Sequence, residues 1–301
     1  MKFTVGIPTL NRSAYLRATV LNILKIDNNM IEDIIIVDQT NDNLITNDNK
    51  VFFNNLEFNI KYFILDIPSV CIARNTIIAE SNSDIIFFID DDVILPFNYF
   101  KEHLYMYSNY NVVSTIGKIY NRNISSNIDS LDINTPSLNT NENFSNFNYI
   151  DTDFKGPGIS CNQSFKRQIL LNVFGFDENF KGGYFEDADL VNRIRKKGYK
   201  IGFNPNAFLI HLKAPMGGLR FDSIQPISFE IKFYSYLFFY IRYFKFNFKY
   251  IFDFYKVLRA GPLLKKNILT FNNGFLLWLK IPLLVTKCII NKNKIKSILL
   301  N

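Results

Sequence analysis

Cysteine is scarce in this chain. Its three copies, Cys71, Cys161 and Cys288, are odd in number and far apart in 301 residues. That excludes a disulfide framework and the paired spacing of a zinc site, and it makes a reducing compartment the default. Also missing is any run of about 18 uninterrupted apolar residues, the length a spanning helix needs. The nearest candidate, Gly274 to Ile290, is broken by Lys280, Pro282 and Lys287. The opening residues run straight into a strand-like segment, with no charged stretch leading into a long apolar one, so no secretory signal is read. No repeat recurs at a fixed period. No G-x-G-x-x-G follows the first strand either. The chain has Pro8-Thr-Leu-Asn-Arg12 there, which argues against a nicotinamide-dependent oxidoreductase holding a ribose on Asp38.

What is present is a large store of core material and a lopsided charge. Hydrophobic residues make up 48% of the sequence, enough for one large domain or a domain with an appendage. The net charge of +7 hides two regions of opposite sign. From Lys213 to Asn301 there are 15 basic residues against three acidic ones, leaving 19 against 24 in the first 212. Apolar, β-rich runs at 3–7, 34–37, 61–64 and 85–89 alternate with helical patterns through Leu16, Val20, Leu21 and Leu24 and at 72–81, which predicts an α/β sandwich with a mainly parallel sheet. In such sheets ligands gather beyond the carboxyl ends of the strands, and Thr9, Asp38 and Asp90 all fall there. From Asn121 to Asn148 the composition turns to Asn, Ser, Asp and Thr, which marks a long surface excursion. The segment Glu186 to Lys197 has helical spacing and stops at Gly198.

The run Ile85-Ile-Phe-Phe-Ile-Asp-Asp-Asp-Val93 places three carboxylates directly after a buried strand. Adjacent like charges repel and demand a cation or water. If the strand geometry persists, Asp90 and Asp92 face one way and Asp91 the other. Two carboxylates on one side suit a hard divalent ion, Mg²⁺ or Mn²⁺, whose shell substrate phosphates complete. A turn with acidic helix caps is the plain alternative. Of the two histidines, His103 reads as packing on a helix, whereas His211 follows the apolar Phe208-Leu-Ile210 and could present its imidazole at a strand end. The Gly-rich basic loop Lys213-Ala-Pro-Met-Gly-Gly-Leu-Arg220 could fold over a diphosphate or serve as a plain hinge.

Five landmarks in order, GIPTLNR at 6–12, IIIVDQT at 34–40, ARN at 73–75, FFIDDDV at 87–93 and GGYFEDADLVNRIRKKGYKIGFNP at 182–205, resemble those of family 2 glycosyltransferases over roughly residues 1–215. The resemblance implies a GT-A, Rossmann-like fold and a nucleotide-diphosphate sugar donor, a UDP-sugar in this case. It also implies Mn²⁺ or Mg²⁺ and inversion at the anomeric carbon. It assigns the donor to Pro8, Thr9, Arg12, Asp38, Arg74, Asp90 and Asp91, with Asp38 on the nucleoside, and it assigns the metal to Asp92 and His211. Asp187 becomes the base that takes the acceptor's proton, with Glu186, Asp189, Gly158, Asn162 and Gly183 as acceptor or supporting residues and Lys213 and Arg220 near the diphosphate. Family members often read Asp-Asp-Gly-Ser where this chain has Asp38-Gln-Thr-Asn41. Domains are expected at 1–220, with a nucleotide-sugar half (1–100) and an acceptor half (101–220), and at 221–301, a helical tail.

In the tail, residues 227–258 interleave aromatics with Lys and Arg. The segment is too apolar for a single-stranded nucleic-acid groove, so no nucleic acid is expected. Aromatic, basic helices in a lipid headgroup layer explain both features, and a helical cap on the catalytic domain is the alternative. Together these readings describe a cytoplasmic enzyme, peripheral on the inner face of the cell membrane. It would add a sugar to a glycan or polyprenyl-linked acceptor in surface polysaccharide synthesis. The rival is a membrane-associated nucleotide-sugar-binding protein without catalysis.

Overall fold

The computed structural model describes residues 2–26, 29–121, 139–140, 148–218, 229–243 and 271–300. The excursion expected between Asn121 and Asn148 and much of the aromatic tail segment lie outside them. Five strands and four helices make the first half: β1 (Phe3–Thr9), α1 (Ser13–Lys25), β2 (Ile31–Asp38), α2 (Asn43–Asn54), β3 (Ile60–Ile64), α3 (Val70–Glu80), β4 (Ile85–Ile89), β5 (Val93–Ile94) and α4 (Tyr99–Asn109). They are followed by β6 (Ser114–Asn121), β7 (Asn139–Thr140), β8 (Asn162–Lys166), α5 (Arg167–Asn172), α6 (Glu186–Lys196) and β9 (Ile201–His211). Two tail helices, α7 (Phe229–Tyr243) and α8 (Phe271–Asn291), and a 3-10 turn (Ile298–Leu300) complete the described chain.

The described strands form one sheet in the order β3-β2-β1-β4-β8-β6-β9-β5, with β7 paired to β6. Pairings β1–β2, β1–β4 and β2–β3 are parallel, as expected from the alternation of strands and helices in the first hundred residues. The second half departs from a mainly parallel sheet. β8 lies antiparallel between β4 and β6, and β5 runs antiparallel to β9. In the first half each parallel neighbour is reached through a helix, α1, α2 or α3, whereas β8 enters the sheet in the opposite direction. Its Asn162-Gln-Ser sequence also carries no apolar strand pattern.

Side-chain alternation along β1 sets which helix covers which face. Gly6 faces α3 so closely that a Cβ there would come within 2.5 Å of Ile77. Phe3, on the opposite face, meets Phe87 of β4 and Phe100 of α4 at ring distances of 4.7 and 4.9 Å. Both faces of β4 are therefore dry, which accounts for its five consecutive buried apolar residues. His103 is core packing, as read from sequence. It is fully buried, and its Nε2 donates to Asn162 Oδ1 at 3.0 Å.

The aromatic residues of α7 that suggested a headgroup layer point inward. Phe233, Tyr234, Leu237 and Phe238 belong to the main core. Phe238 stacks near Phe180 at 5.0 Å, and Tyr236 and Phe239 bracket Phe185 at 4.6 and 5.0 Å. Arg242 locks the contact. It pairs with the buried carboxylates of Asp177 and Asp189, each at 2.7 Å, and donates to the carbonyls of Lys292 and Lys294. The chain after α8 is stitched in as well, because Lys296 N donates to Asp177 and Ile298 N to Glu178.

Two outcomes follow from this packing. Replacing Arg242 by Met leaves the buried Asp177 without its cation and Asp189 with Arg193 alone, and urea unfolding is expected to show a loss of about 3–5 kcal/mol. For His103, burial pushes the imidazole down to about 4 from an ordinary 6.5. The unfolded chain therefore takes up a proton that the folded chain refuses. This part of the stability is complete above pH 6.5 and is lost as pH falls through 4, by about 3 kcal/mol. Unfolding free energies at pH 7 and pH 4 are expected to differ less in His103→Gln by that amount.

Candidate active site

The strand ends collect the polar residues on one edge. Thr9 and Asp38 end β1 and β2 and are partners in register, and Asp90 follows β4. β5 brings the acidic turn to His211, because Val93 pairs with His211 across the sheet and Leu212 N donates to Asp92 O at 2.8 Å. Local order does the rest. Thr19 of α1 donates its hydroxyl to the carbonyls of Asp91 and Val93, which fixes the turn from below.

Asp90, Asp92 and His211 each offer a ligand atom, all within 4.8 Å of one another. Asp90, grouped with the donor in the sequence reading, thus joins the metal pair. Asp92 is fully buried. Its Oδ2 accepts from Ala214 N at 2.8 Å, while its Oδ1 accepts no hydrogen bond and stands 3.3 Å from His211 Nε2. Asp91 turns the other way and accepts from Thr9 at 2.6 Å and from Arg12 at 3.0 Å. Burial pushes the carboxyls of Asp91 and Asp92 above the usual range, against the pull of Arg12 and, for Asp92, of His211. Burial likewise opposes a charged His211, but Asp90 and Asp92 outweigh it and hold its pKa above the ordinary value. Negative charge is therefore costly here, and one carboxylate oxygen lacks a partner. Oxygens and an imidazole so arranged fit a divalent cation.

The opposite wall is built by α3 and α6. Arg74 is buried, with Nη1 donating to Asp187 at 2.9 Å and to Glu186 at 3.2 Å, while its Nε makes no hydrogen bond. Burial acts against its charge, but Asp187 and Glu186 raise its pKa above that of a free guanidinium. Ser160, which the sequence reading missed, holds Asp187 from the other side. Its hydroxyl donates to Oδ1, and its backbone N–H donates to Oδ2 at 3.0 Å. The turn before α6 is unusual. Gly182, Gly183 and Phe185 all have left-handed φ, at 68, 67 and 68°. For Phe185 that conformation costs of order 1–3 kcal/mol, and the rings of Tyr236 and Phe239 hold it in place.

One cleft of about 140 Å³ joins the two walls, lined among others by Pro8, Thr9, Arg12, Arg74, Asp90 and Gly183. His211 and Glu186 also reach it. The loop after β9 closes its rim. Arg12 donates to the carbonyls of Met216 and Gly217, and Gly217, at φ 72°, is so close to Leu10 and Asn11 that a Cβ would stand 2.8 and 2.6 Å from their carbonyl oxygens. Lys213 lies in this loop, exposed, while Arg220 is outside the described residues.

Other sequence-singled residues lie away from the cleft. Asp38 is buried behind Gln39 and accepts from Thr40 N, Asn49 and Tyr62. Gly158 packs under α6, where a Cβ would meet Val191 at 2.5 Å. Asn162 is turned into the core, bridging Tyr99, His103 and the carbonyls of Lys118 and Ala207, so of the acceptor and support readings its place is support. Asp189 is likewise support, held by Arg193, Arg242 and Tyr243. The signal for Ser160 was absent because a serine in a Gly-rich segment is unremarkable until α6 is folded over it.

Buried guanidinium groups beside a cation-ready cluster suit an enzyme that handles a phosphorylated substrate. The family model for Glycosyl transferase family 2 matches residues 4–174, more than half of the chain, and the protein belongs to that family; it is a glycosyltransferase. Its structure is similar to that of S. aureus TarS 1-349, at 16% identity and a TM-score of 0.57 over 97% of this chain and 81% of that one. The complex of TarS 1-349 with UDP-GlcNAc gives 17% and 0.56 over 97% and 79%. GalNAc-T7 with UDP, GalNAc and Mn²⁺ gives 13% and 0.59 over 80% and 50%. These likenesses establish the mixed α/β GT-A fold with its curled central sheet. No curated protein matches the sequence.

The cluster generates one outcome for the metal. Calorimetric titration with Mn²⁺ is expected to find a single site, weakened about 100-fold or more in Asp92→Asn, since even outer-shell changes cost 10–100-fold. Equal affinity in the variant would mean that the ion binds elsewhere.

Proposed function

We propose that the protein transfers one sugar from a UDP-sugar to a hydroxyl of a glycan or polyprenyl-linked acceptor, with inversion and with a divalent cation, in surface polysaccharide synthesis. The observation that carries this reading is the cleft lined by Asp90 and His211, which cluster with Asp92, and by Arg74 and Glu186, with Asp187 paired to Arg74. Two solved structures with this fold are complexes with UDP-GlcNAc and with UDP, GalNAc and Mn²⁺, which supports the donor class and the ion.

Asp90, Asp92 and His211 would hold the cation, which when bound offsets the charge that develops on the departing diphosphate. The chain's own groups do the remaining work. Arg12 and Arg74 face the cleft and balance phosphate charge. Pro8, Thr9 and Gln39 line the nucleoside end, with Asp38 buried next to them. The acceptor hydroxyl gives its proton to Asp187 while its oxygen bonds to the anomeric carbon and the bond to the diphosphate breaks. Asp187 Oδ1 already accepts from Arg74 and Ser160, whereas Oδ2 accepts from the Ser160 N–H, so Oδ2 has a lone pair for that proton. Arg74 and Ser160 fix the direction in which the Asp187 carboxylate faces.

We also infer that the enzyme works at the inner membrane surface, a reading supported by the basic excess after residue 213. Among the described residues no helix is long and apolar enough to cross a membrane.

The test combines binding and turnover. Thermal shift is expected with a UDP-sugar only when Mn²⁺ is present, following RT ln(1 + [L]/Kd). Asp187→Asn is expected to keep that shift and lose transfer by 10²–10⁴-fold. A variant as active as the parent would remove Asp187 from the role of base.

A further inference from the structure

A second cavity of about 510 Å³ opens between α7, α8 and the segment 178–181. Three cations line it, Lys181, Lys287 and Lys296, over a floor of Tyr234, Leu284 and Ile231. An adjoining cavity of about 520 Å³ shares Lys296 and adds Lys294. Among the described residues none of these four lysines forms an ion pair with a carboxylate. Glu178, the acidic group in both walls, has Oε1 committed to Asn75 Nδ2 at 3.1 Å and to Ile298 N at 2.7 Å. Lys287 is held over the Tyr234 ring at 5.3 Å. Three ammonium groups around this cavity and a fourth in the adjoining one attract an anion with several charge-bearing oxygens.

The surface beside the cavity narrows the class of ligand. Leu283, Lys287 and Ile290 follow one another at helical spacing and share one face of α8. Leu283 is 70% and Ile290 59% exposed. A soluble phosphate would use the lysines and leave these two side chains in water. A phosphate attached to hydrocarbon would use both. We propose that this cavity binds the phosphate headgroup of an anionic membrane lipid, with Leu283 and Ile290 entering the acyl boundary next to it. The inference rests on, and gives a location to, the membrane-surface part of the proposed function. It places the lipid surface beside Lys181, two residues from Gly183 in the donor cleft.

The test is vesicle flotation of the full chain with phosphatidylcholine alone and with phosphatidylcholine containing phosphatidylglycerol. Binding is expected only with the anionic lipid. It should fall about fivefold for each of Lys181→Gln, Lys287→Gln and Lys296→Gln, the loss of one basic residue at a charged surface, and it should weaken as salt is raised. Leu283→Gln is expected to reduce binding at any salt concentration. Each variant's shift with a UDP-sugar and Mn²⁺ serves as a fold control and is expected to match the parent's. Parent and lysine variants binding alike would overturn the proposal. Binding of inorganic phosphate by the cavity without any vesicle binding would overturn it too, in favour of a soluble anion. Either result with the nucleotide shift intact leaves the glycosyltransferase reading standing. Vesicle binding without a nucleotide shift would sink the donor assignment and leave the lipid site.

Discussion

Buried negative charge is the constraint around which this protein is organised. Asp33, Asp38, Asp91, Asp92, Asp177, Glu178, Glu186 and Asp189 are all withdrawn from water. A carboxylate in such a place is tolerable only when something positive or proton-donating meets it. Each is met differently. Asp33 has Lys61 and Thr4 at the far end of the sheet, Asp38 has Tyr62 and Asn49, and Asp91 has Arg12. Glu186 has Arg74, and Asp177 and Asp189 share Arg242. Asp92, Asp177 and Glu186 each keep one oxygen without a hydrogen bond. For Asp177 that oxygen meets Arg242, whereas for Asp92 it faces the imidazole of His211 in the cluster suited to a cation.

The same constraint explains why the tail helices are inseparable from the catalytic part. α6 carries Asp187 toward the cleft and Asp189 toward α7, so the residue two positions from the candidate base is clamped by Arg242. Phe185, immediately before α6, holds its left-handed backbone against rings from α7. A cut near residue 220 would take Arg242 from Asp177 and Asp189 and the rings of α7 from Phe185 together. In α7 the aromatic residues are structural; the features suited to a membrane are the lysines and exposed aliphatics of α8.

Much of this was legible in the sequence. The first four strands are long β-branched runs with clear ends, and the polar residues at those ends predict the functional edge without knowledge of packing. The acid triplet was also readable, because alternation predicts that Asp91 parts from Asp90 and Asp92, and Asp91 does turn to Thr9 and Arg12. The second half was less so. β8 is polar and short, and Asn162 looks like a site residue until four buried partners surround it. Ser160, Arg242 and the pairing of Arg74 with Asp187 depend on contacts across 27 to 113 positions, which no local pattern encodes. Basic aromatic composition, likewise, does not distinguish a face packed on protein from one packed on lipid.

Asn75 gives one more consequence, in the order of events during folding. It sits next to Arg74 on α3, accepts from Phe176 N, and has Nδ2 within 3.1 Å of Ser297 Oγ, 222 positions along the chain. Contacts of such separation close late, since a long loop must lose its freedom before they return any energy. The parallel strands can therefore assemble early while the end of α3 that carries the arginine waits for the far segment to arrive. Until then the chain would be a folded sheet with an unfinished cleft, and the rate at which activity appears on refolding would be set by this last closure and not by formation of the sheet.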